Sequence, residues 1–311
     1  MNETNTPVNH KPIYTPRPKG LGISDWIIDK VGVRPFTWKP ILKVFKALVT
    51  GRKYMESPIF GPIYKKLMMF TPDEKRYSAG TVYNLNVDVS DKGESVVVPM
   101  DLVKDMLRKA KYIASTNACI CRDANNCQDY PKDVCCLFMS NSGRTIVDHG
   151  IGYEISLEDA LTRVDKAARL GLVGQALFVE VEQFIWGFSN ATMENFIEMC
   201  FCCPCCCVAF NLSRNASRMV KRRFHPSGWT SLVSPEACTG CGECLQPCPQ
   251  SAITLVDGGK AFVNQEYCVG CGICKMHCPS NAIHIQQTRP MLSSVQEYFL
   301  VDDRLALKIE D

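Results

Sequence analysis

Residues 237–255, ACTGCGECLQPCPQSAITL, and residues 267–285, YCVGCGICKMHCPSNAIHI, are two copies of one pattern set thirty positions apart. Each copy reads C-x2-C-x2-C-x3-C-P. Gly240 and Gly242, and again Gly270 and Gly272, permit a tight turn on which three sulfurs and several backbone N–H groups converge. Pro249 and Pro279 turn the chain away after the fourth cysteine. Ile253 and Ile283 follow at matching positions and are expected to pack against whatever the cysteines hold. Cysteines at such short, regular intervals read as metal ligands, not as a disulfide framework.

Upstream lies a denser run, Met199–Val208, MCFCCPCCCV, with Cys200, Cys202, Cys203, Cys205, Cys206 and Cys207 inside eight positions. Six thiolates this close repel one another, so they must be protonated, oxidised or bound to cations. In an extended chain Cys203, Cys205 and Cys207 face one way and Cys200, Cys202 and Cys206 the other. Pro204 blocks a regular helix. One four-ligand site cannot use all six.

Further upstream CICRDANNCQDYPKDVCC (residues 119–136) supplies Cys119, Cys121, Cys127, Cys135 and Cys136. A helix follows, capped by Ser156 with Asp159 three residues on, striped by Leu157, Ala160, Leu161, Val164, Ala167 and Ala168, and ended by Gly171. Leu177–Ile185 reads as a strand and Thr192–Met199 as a short helix or turn. That helix–strand unit could fold back and bring the two cysteine groups together. The eleven central cysteines are then candidates for one or two iron–sulfur clusters of their own, with some left unligated. Zinc ranks lower, because neither group has the plain paired CxxC spacing that zinc sites favour. Thiol chemistry ranks below both, since adjacent cysteines make strained bridges.

The N-terminal third is less informative. Residues 1–35 are rich in Pro and Lys and are expected to wrap over a surface. Between Phe36 and Phe70, aromatic residues alternate with Lys39, Lys43, Lys46, Arg52, Lys53, Lys65 and Lys66, with Ile41, Leu42, Phe45 and Leu48 at helical spacing. We expect helices packed on the cysteine domain with their lysines in water. Contact with a membrane surface or an acidic partner ranks below that. Thr81–Val89 and Glu94–Val98 suggest a hairpin. Pro99 opens a helix carrying Leu102, Val103, Met106, Leu107, Ala110 and Ile113 on one face. After Cys207, Arg214, Arg218, Lys221, Arg222 and Arg223 form a basic segment suited to screening anionic clusters or docking an acidic redox protein. Met291–Asp311 is expected to be a helical tail packed on the body.

Composition bounds these readings. Hydrophobic residues make up 46% and charged residues 22%, ordinary for a globular chain. A net charge of +3 is too mild for nucleic-acid binding. The 19 cysteines are an odd number and no apolar leader precedes them, so a reducing cytoplasm is expected. No apolar run is long enough to span a membrane; Leu172–Phe188 comes nearest and is broken by Gln175, Glu180, Glu182 and Gln183.

Residues 236–285 resemble the bacterial-type ferredoxins that carry two [4Fe-4S] clusters. The resemblance implies that the fourth cysteine of each motif crosses over. Cys238, Cys241, Cys244 and Cys278 would hold one cluster, and Cys248, Cys268, Cys271 and Cys274 the other. The central cysteine pattern resembles cysteine-rich ferredoxin-like proteins of anaerobic bacteria and archaea, and implies no substrate. The expected fold class is α+β, in four parts. These are an N-terminal helical and hairpin region (1–99), a cysteine-rich α+β domain (100–227), a βαββαβ-like two-cluster ferredoxin (228–290) and a tail (291–311). The expected function is electron transfer, alone or as the electron-input subunit of a redox complex, with a redox protein as partner. The alternatives are an oxidoreductase whose central cluster reduces a substrate, and a zinc-binding or metal-maturation protein.

Overall fold

The computed structural model describes residues 32–67, 78–86, 99–179, 182–189, 192–193, 196, 198–214, 216–221 and 224–288. Its centre is a seven-stranded sheet. The strands are β1 (Ser78–Tyr83), β2 (Ile113–Thr116), β3 (Leu137–Met139), β4 (Gly152–Glu154), β5 (Val173–Val179), β6 (Glu198–Cys202) and β7 (Phe224–Pro226). They run in the order β4-β2-β3-β6-β5-β1-β7. Every neighbouring pair is antiparallel except β1 with β7.

Both faces of the sheet are covered, and the alternation along β6 shows how. Met199, Phe201 and then Cys203 enter a core with Leu137, Met139 and Ala176. That core is closed by helices α3 (Pro99–Lys109) and α6 (Leu157–Arg169). Cys200 and Cys202 enter the opposite core with Phe138, Val173 and Leu177. This second face is covered by α1 (Trp38–Gly51), α2 (Gly61–Leu67), α5 (Ser140–Asp148), α7 (Glu182–Trp186) and α8 (Val208–Arg214). Phe138 stacks edge-on against Trp186 and Phe188 there, at ring distances of 5.2 and 6.0 Å. Each such buried side chain stabilises the fold by about 1.5–3 kcal/mol.

Several sequence expectations are met. Helix α6 is capped by the Ser156 hydroxyl, which accepts from the Asp159 N–H at 3.1 Å, and Gly171 ends it at φ +70°. Helix α3 buries Leu102, Val103, Met106 and Leu107. Helix α1 packs Phe45 and Val49 inward and leaves Lys39, Lys43 and Lys46 exposed. Its Trp38 indole donates to Asp123 Oδ2 at 2.8 Å, tying it to α4 (Ile120–Ala124).

Other expectations need correction. The strand placed at Leu177–Ile185 starts at Val173, directly after the Gly171 turn, and Ile185 lies in α7. Ile113 belongs to β2, because α3 stops at Lys109. Met199 is in β6, whose pairing with β3 and β5 overrides the helical reading. The start of the expected hairpin's first arm lies in β1, which pairs with β5 and β7 on its two edges, and residues 87–98, with the end of that arm and all of the other, lie outside the described residues. Residues 1–31 and the tail 291–311 also lie outside them. The basic segment is helical in two short pieces, α8 and α9 (Arg218–Lys221). No helix among the described residues is long and apolar enough to cross a membrane.

The C-terminal part contains β8 (Trp229–Val233), β9 (Ile253–Leu255), β10 (Ala261–Val263), α10 (Ile273–Met276) and β11 (Ile283–Gln287). Strand β8 pairs with β11 and β9 with β10, both antiparallel. Val233 faces Ile283 while Val263 faces Ile253, so the thirty-residue repeat recurs as an internal two-fold relation. The first helix of a βαββαβ order is a run of turns over 243–247. This unit presses on the sheet. A Cβ on Gly272, which sits at φ +78°, would overlap the Asn84 side-chain amide.

Candidate metal centres

The two C-terminal motifs fold into two thiol-lined cavities. Cys238, Cys241, Cys244 and Cys278 line one, with Ile283 in its wall. Cys248, Cys268, Cys271 and Cys274 line the other, with Ile253 in its wall. Each cavity thus combines three cysteines of one motif with the fourth of the other. Left-handed glycines shape the turns. Gly270, at φ +64°, lies so close to the Trp229 carbonyl that any side chain would overlap it. Backbone N–H groups reach the sulfurs in repeat-related pairs. Ser231 and Ala261 donate to Cys268 and Cys238 at 3.4 Å, and Ala252 and Ala282 donate to Cys248 and Cys278 at 3.3 Å.

Burial pushes the Cys274 thiol up to about 12 and holds Cys271 well above its ordinary range, where the nearby Cys274, Cys248 and Cys268 add to the effect. Four crowded thiols of this kind ionise together only around a cation. An apolar cradle, four converging sulfurs and N–H donors aimed at them fit an iron–sulfur cluster in each cavity.

The central cysteines are brought together by strand pairing. β3 follows Cys136 directly and lies beside β6, with Leu137 opposite Met199. The eleven thiols then separate into three sets. Cys127, Cys203, Cys205 and Cys206 have sulfurs within 4.8 Å of one another. Cys119, Cys121, Cys207, Cys202, Cys200 and Cys136 form a second set, each touching the next. Its Cys136 and Cys200 sulfurs are 2.9 Å apart. Cys135 joins neither set; its thiol donates to the carbonyls of Asp133 and Lys132.

The facing expected for an extended chain holds for Cys200 and Cys202 but fails for Cys206 and Cys207. Pro204–Cys206 is a turn, so Cys206 joins Cys203 and Cys205 while Cys207 returns to the face of Cys202. Side chains hold this turn by its carbonyls. Asn211 donates to Cys205 O and Cys207 O at 3.0 and 2.9 Å, Arg214 to Pro204 O at 2.9 Å, and Asn125 to Cys206 O at 3.3 Å.

Four further residues belong to these sites. Arg122 is 1% exposed and donates to the carbonyls of Phe201 and Val134. No carboxylate pairs with it among the described residues. Burial alone would weaken its charge, but Cys119, Cys203, Cys202 and Cys136 around it outweigh that. Glu198, 2% exposed, accepts from the Cys200 thiol at 2.6 Å. Glu182 meets Glu198, and burial followed by that neighbour holds its carboxyl well above the ordinary range. Gln175, fully buried on the strand opposite Cys200, reaches Cys207 Sγ at 3.9 Å. The sequence signals for these are faint: polar residues interrupting the apolar run 172–188, and one arginine set directly after Cys121.

The C-terminal module and the buried six-thiol set share a core. Val269 and Ile273 are packed in the same cluster as Cys136, Cys200, Cys202 and Cys207, with Cys121 and Cys271 against it. Arg214 lies between them, desolvated yet within the field of Cys248, Cys205 and Cys207. The Ser213 hydroxyl donates to Pro249 O at 3.0 Å across the same junction.

Residues 237–283 match the family model described as a 4Fe-4S dicluster domain, which leaves the central cysteines outside the match. No curated protein matches the chain. The C-terminal part of this protein is a ferredoxin-like iron–sulfur module.

Proposed function

We propose that the chain is an iron–sulfur electron-transfer protein. In this reading two [4Fe-4S] clusters in the C-terminal module exchange electrons with iron–sulfur chemistry in the central domain. Cys238, Cys241, Cys244 and Cys278 would hold one cluster, and Cys248, Cys268, Cys271 and Cys274 the other. Cys119, Cys121, Cys136, Cys200, Cys202 and Cys207 are the donors for an additional cluster. Such clusters supply one-electron chemistry at potentials set by hydrogen bonds to sulfur, charge and exposure.

The observation that carries this reading is the shared core. Val269 and Ile273 of the Cys268–Cys274 loop are buried in the same hydrophobic core as the central thiols. A metal site serving only to staple a small domain has no need of that shared core. The chain's own residues tune both ends. N–H donors stabilise charge on the C-terminal sulfurs. Arg122 and Arg214 place two positive charges among the central thiols, which offsets the cost of gathering anionic sulfur in a dry interior. The partner is a redox protein, met either in solution or as part of a larger redox assembly.

The test is reductive titration of chain purified without oxygen, followed by EPR and iron analysis. The expected result is iron beyond the roughly eight atoms of two [4Fe-4S] clusters, with spin coupling between a C-terminal and a central signal. Iron at or below that count, with no signal assignable to the central thiols, overturns the proposal.

A further inference from the structure

Cys127, Cys203, Cys205 and Cys206 are, among the described residues, the one group of four cysteines whose sulfurs all lie within 4.8 Å of one another; the other group that tight combines Cys136 and Cys200 with the Glu198 carboxylate. Thiolates bound tetrahedrally at about 2.3 Å around one ion stand about 3.8 Å apart. Here all four sulfurs lie within 4.8 Å of one another, and Cys127 and Cys205 are 3.7 Å apart. A [4Fe-4S] cluster needs wider spacing, because each cysteine binds a different iron. The C-terminal thiols form no group as tight as this one.

The site is also built rather than accidental. Two loops far apart in sequence supply it, one after α4 and one between β6 and α8. The Cys203–Cys206 turn aims the N–H groups of Cys206 and Cys207 at the Cys203 sulfur. The carbonyls of that turn are occupied by Asn125, Asn211 and Arg214, which leaves the sulfurs facing Cys127. Cys205 reaches the surface while Cys203 and Cys206 are buried.

We propose that Cys127, Cys203, Cys205 and Cys206 form a separate tetrathiolate site for a single thiophilic metal ion, zinc or iron, which ties the two cysteine loops together. This site is independent of the electron-transfer reading, which requires only the clusters. Binding exchanges the thiol protons for the ion, with no change in oxidation state.

The experiment compares full-length chain purified without oxygen with Cys205→Ser, Cys206→Ser and Cys127→Ser variants. Zinc and iron are counted, and the C-terminal cluster EPR signal serves as the check of folding. Each variant is expected to lose one ion per chain, with that signal unchanged. Zinc loss with iron constant, and loss of one iron with zinc absent, both support the site and tell the two metals apart. Cys127→Ser approaches from the other loop and must remove the same ion. Loss of about four irons per chain would place a cluster there and overturn the proposal. An unchanged metal count in correctly folded variants would overturn it as well.

Discussion

The C-terminal module and the central domain are both rich in cysteine, yet they are held together differently. Of the eleven buried residues in the C-terminal core, five are cysteines and three are alanines. Little apolar surface remains to drive folding without metal. The central sheet buries Phe138, Trp186, Phe188, Phe196 and Phe210 on one face and a Leu, Val and Met layer on the other. In the proposed reading one region is folded by its clusters, while the other is a folded sheet that gathers metal ligands at its centre. A module organised by its ligands needs regular ligand spacing. A sheet can collect ligands from any loop its strands bring together.

The harshest way to break this comparison is to remove the metal. In chelator-treated chain, amide exchange over 229–287 is expected to reach unfolded rates, since metal-linked folding energies are on the order of 10 kcal/mol. Amides of β3, β5 and β6 should stay protected. Loss of protection in both regions together would mean the sheet also depends on metal.

Arg122 gives a sharper contrast, because its sign should reverse. With anionic metal–thiolate groups beside it, Arg122→Met removes a buried counter-charge and should destabilise the loaded chain by about 3–5 kcal/mol. In metal-free chain the thiols are protonated and the same substitution should be neutral or stabilising. Denaturant midpoints of the two forms measure this, and destabilisation of equal size in both would show that the arginine serves packing alone.

The Glu182–Glu198 acid pair separates the regions by pH, since the C-terminal module buries no carboxylate among its described residues. Burial and Glu198 raise Glu182, so the folded chain keeps a proton that the unfolded chain releases in the ordinary carboxyl range. The stability linked to that proton is complete below the unfolded pKa and is lost as pH rises. Glu182→Gln should therefore gain on the parent from pH 5 to pH 8, by up to about 1.4 kcal/mol per pH unit. Parallel urea-midpoint profiles would contradict this.

The smallest effect is expected at Cys135, which faces carbonyls and neither thiol set. Cys135→Ser should leave the metal count unchanged and shift stability by less than about 1 kcal/mol. A drop in metal content would redraw the central partition.

Legibility in the sequence follows the same division. The two groups of C-terminal thiols that line the cavities can be named from the motifs and the ferredoxin resemblance alone, because each motif is local and the repeat is nearly exact. Helices α3 and α6 are legible for the same reason: cap, stripe and stop lie within a few residues of one another. The central site is not. Its four-thiol group takes Cys127 from one loop and three cysteines from a turn far downstream, a pairing made by β3 lying against β6. The plain CxxC rule that ranks zinc low cannot see a ligand supplied across a sheet. Arg122 and Glu198 are hidden in a similar way, since a single charge in an apolar stretch shows its purpose only when its neighbours in space are known. The strand expected at Leu177 begins four residues earlier, because an apolar run buried on both faces carries no alternation to mark its ends.

The central claim is that metal occupies both regions and in different forms. Anomalous scattering from an oxygen-free crystal, collected at the iron and zinc edges, tests it in one measurement. The account predicts two iron clusters in the C-terminal cavities, iron within the six-thiol set, and one isolated ion among Cys127, Cys203, Cys205 and Cys206. Iron confined to the C-terminal module, with the central sulfurs bare, would contradict it.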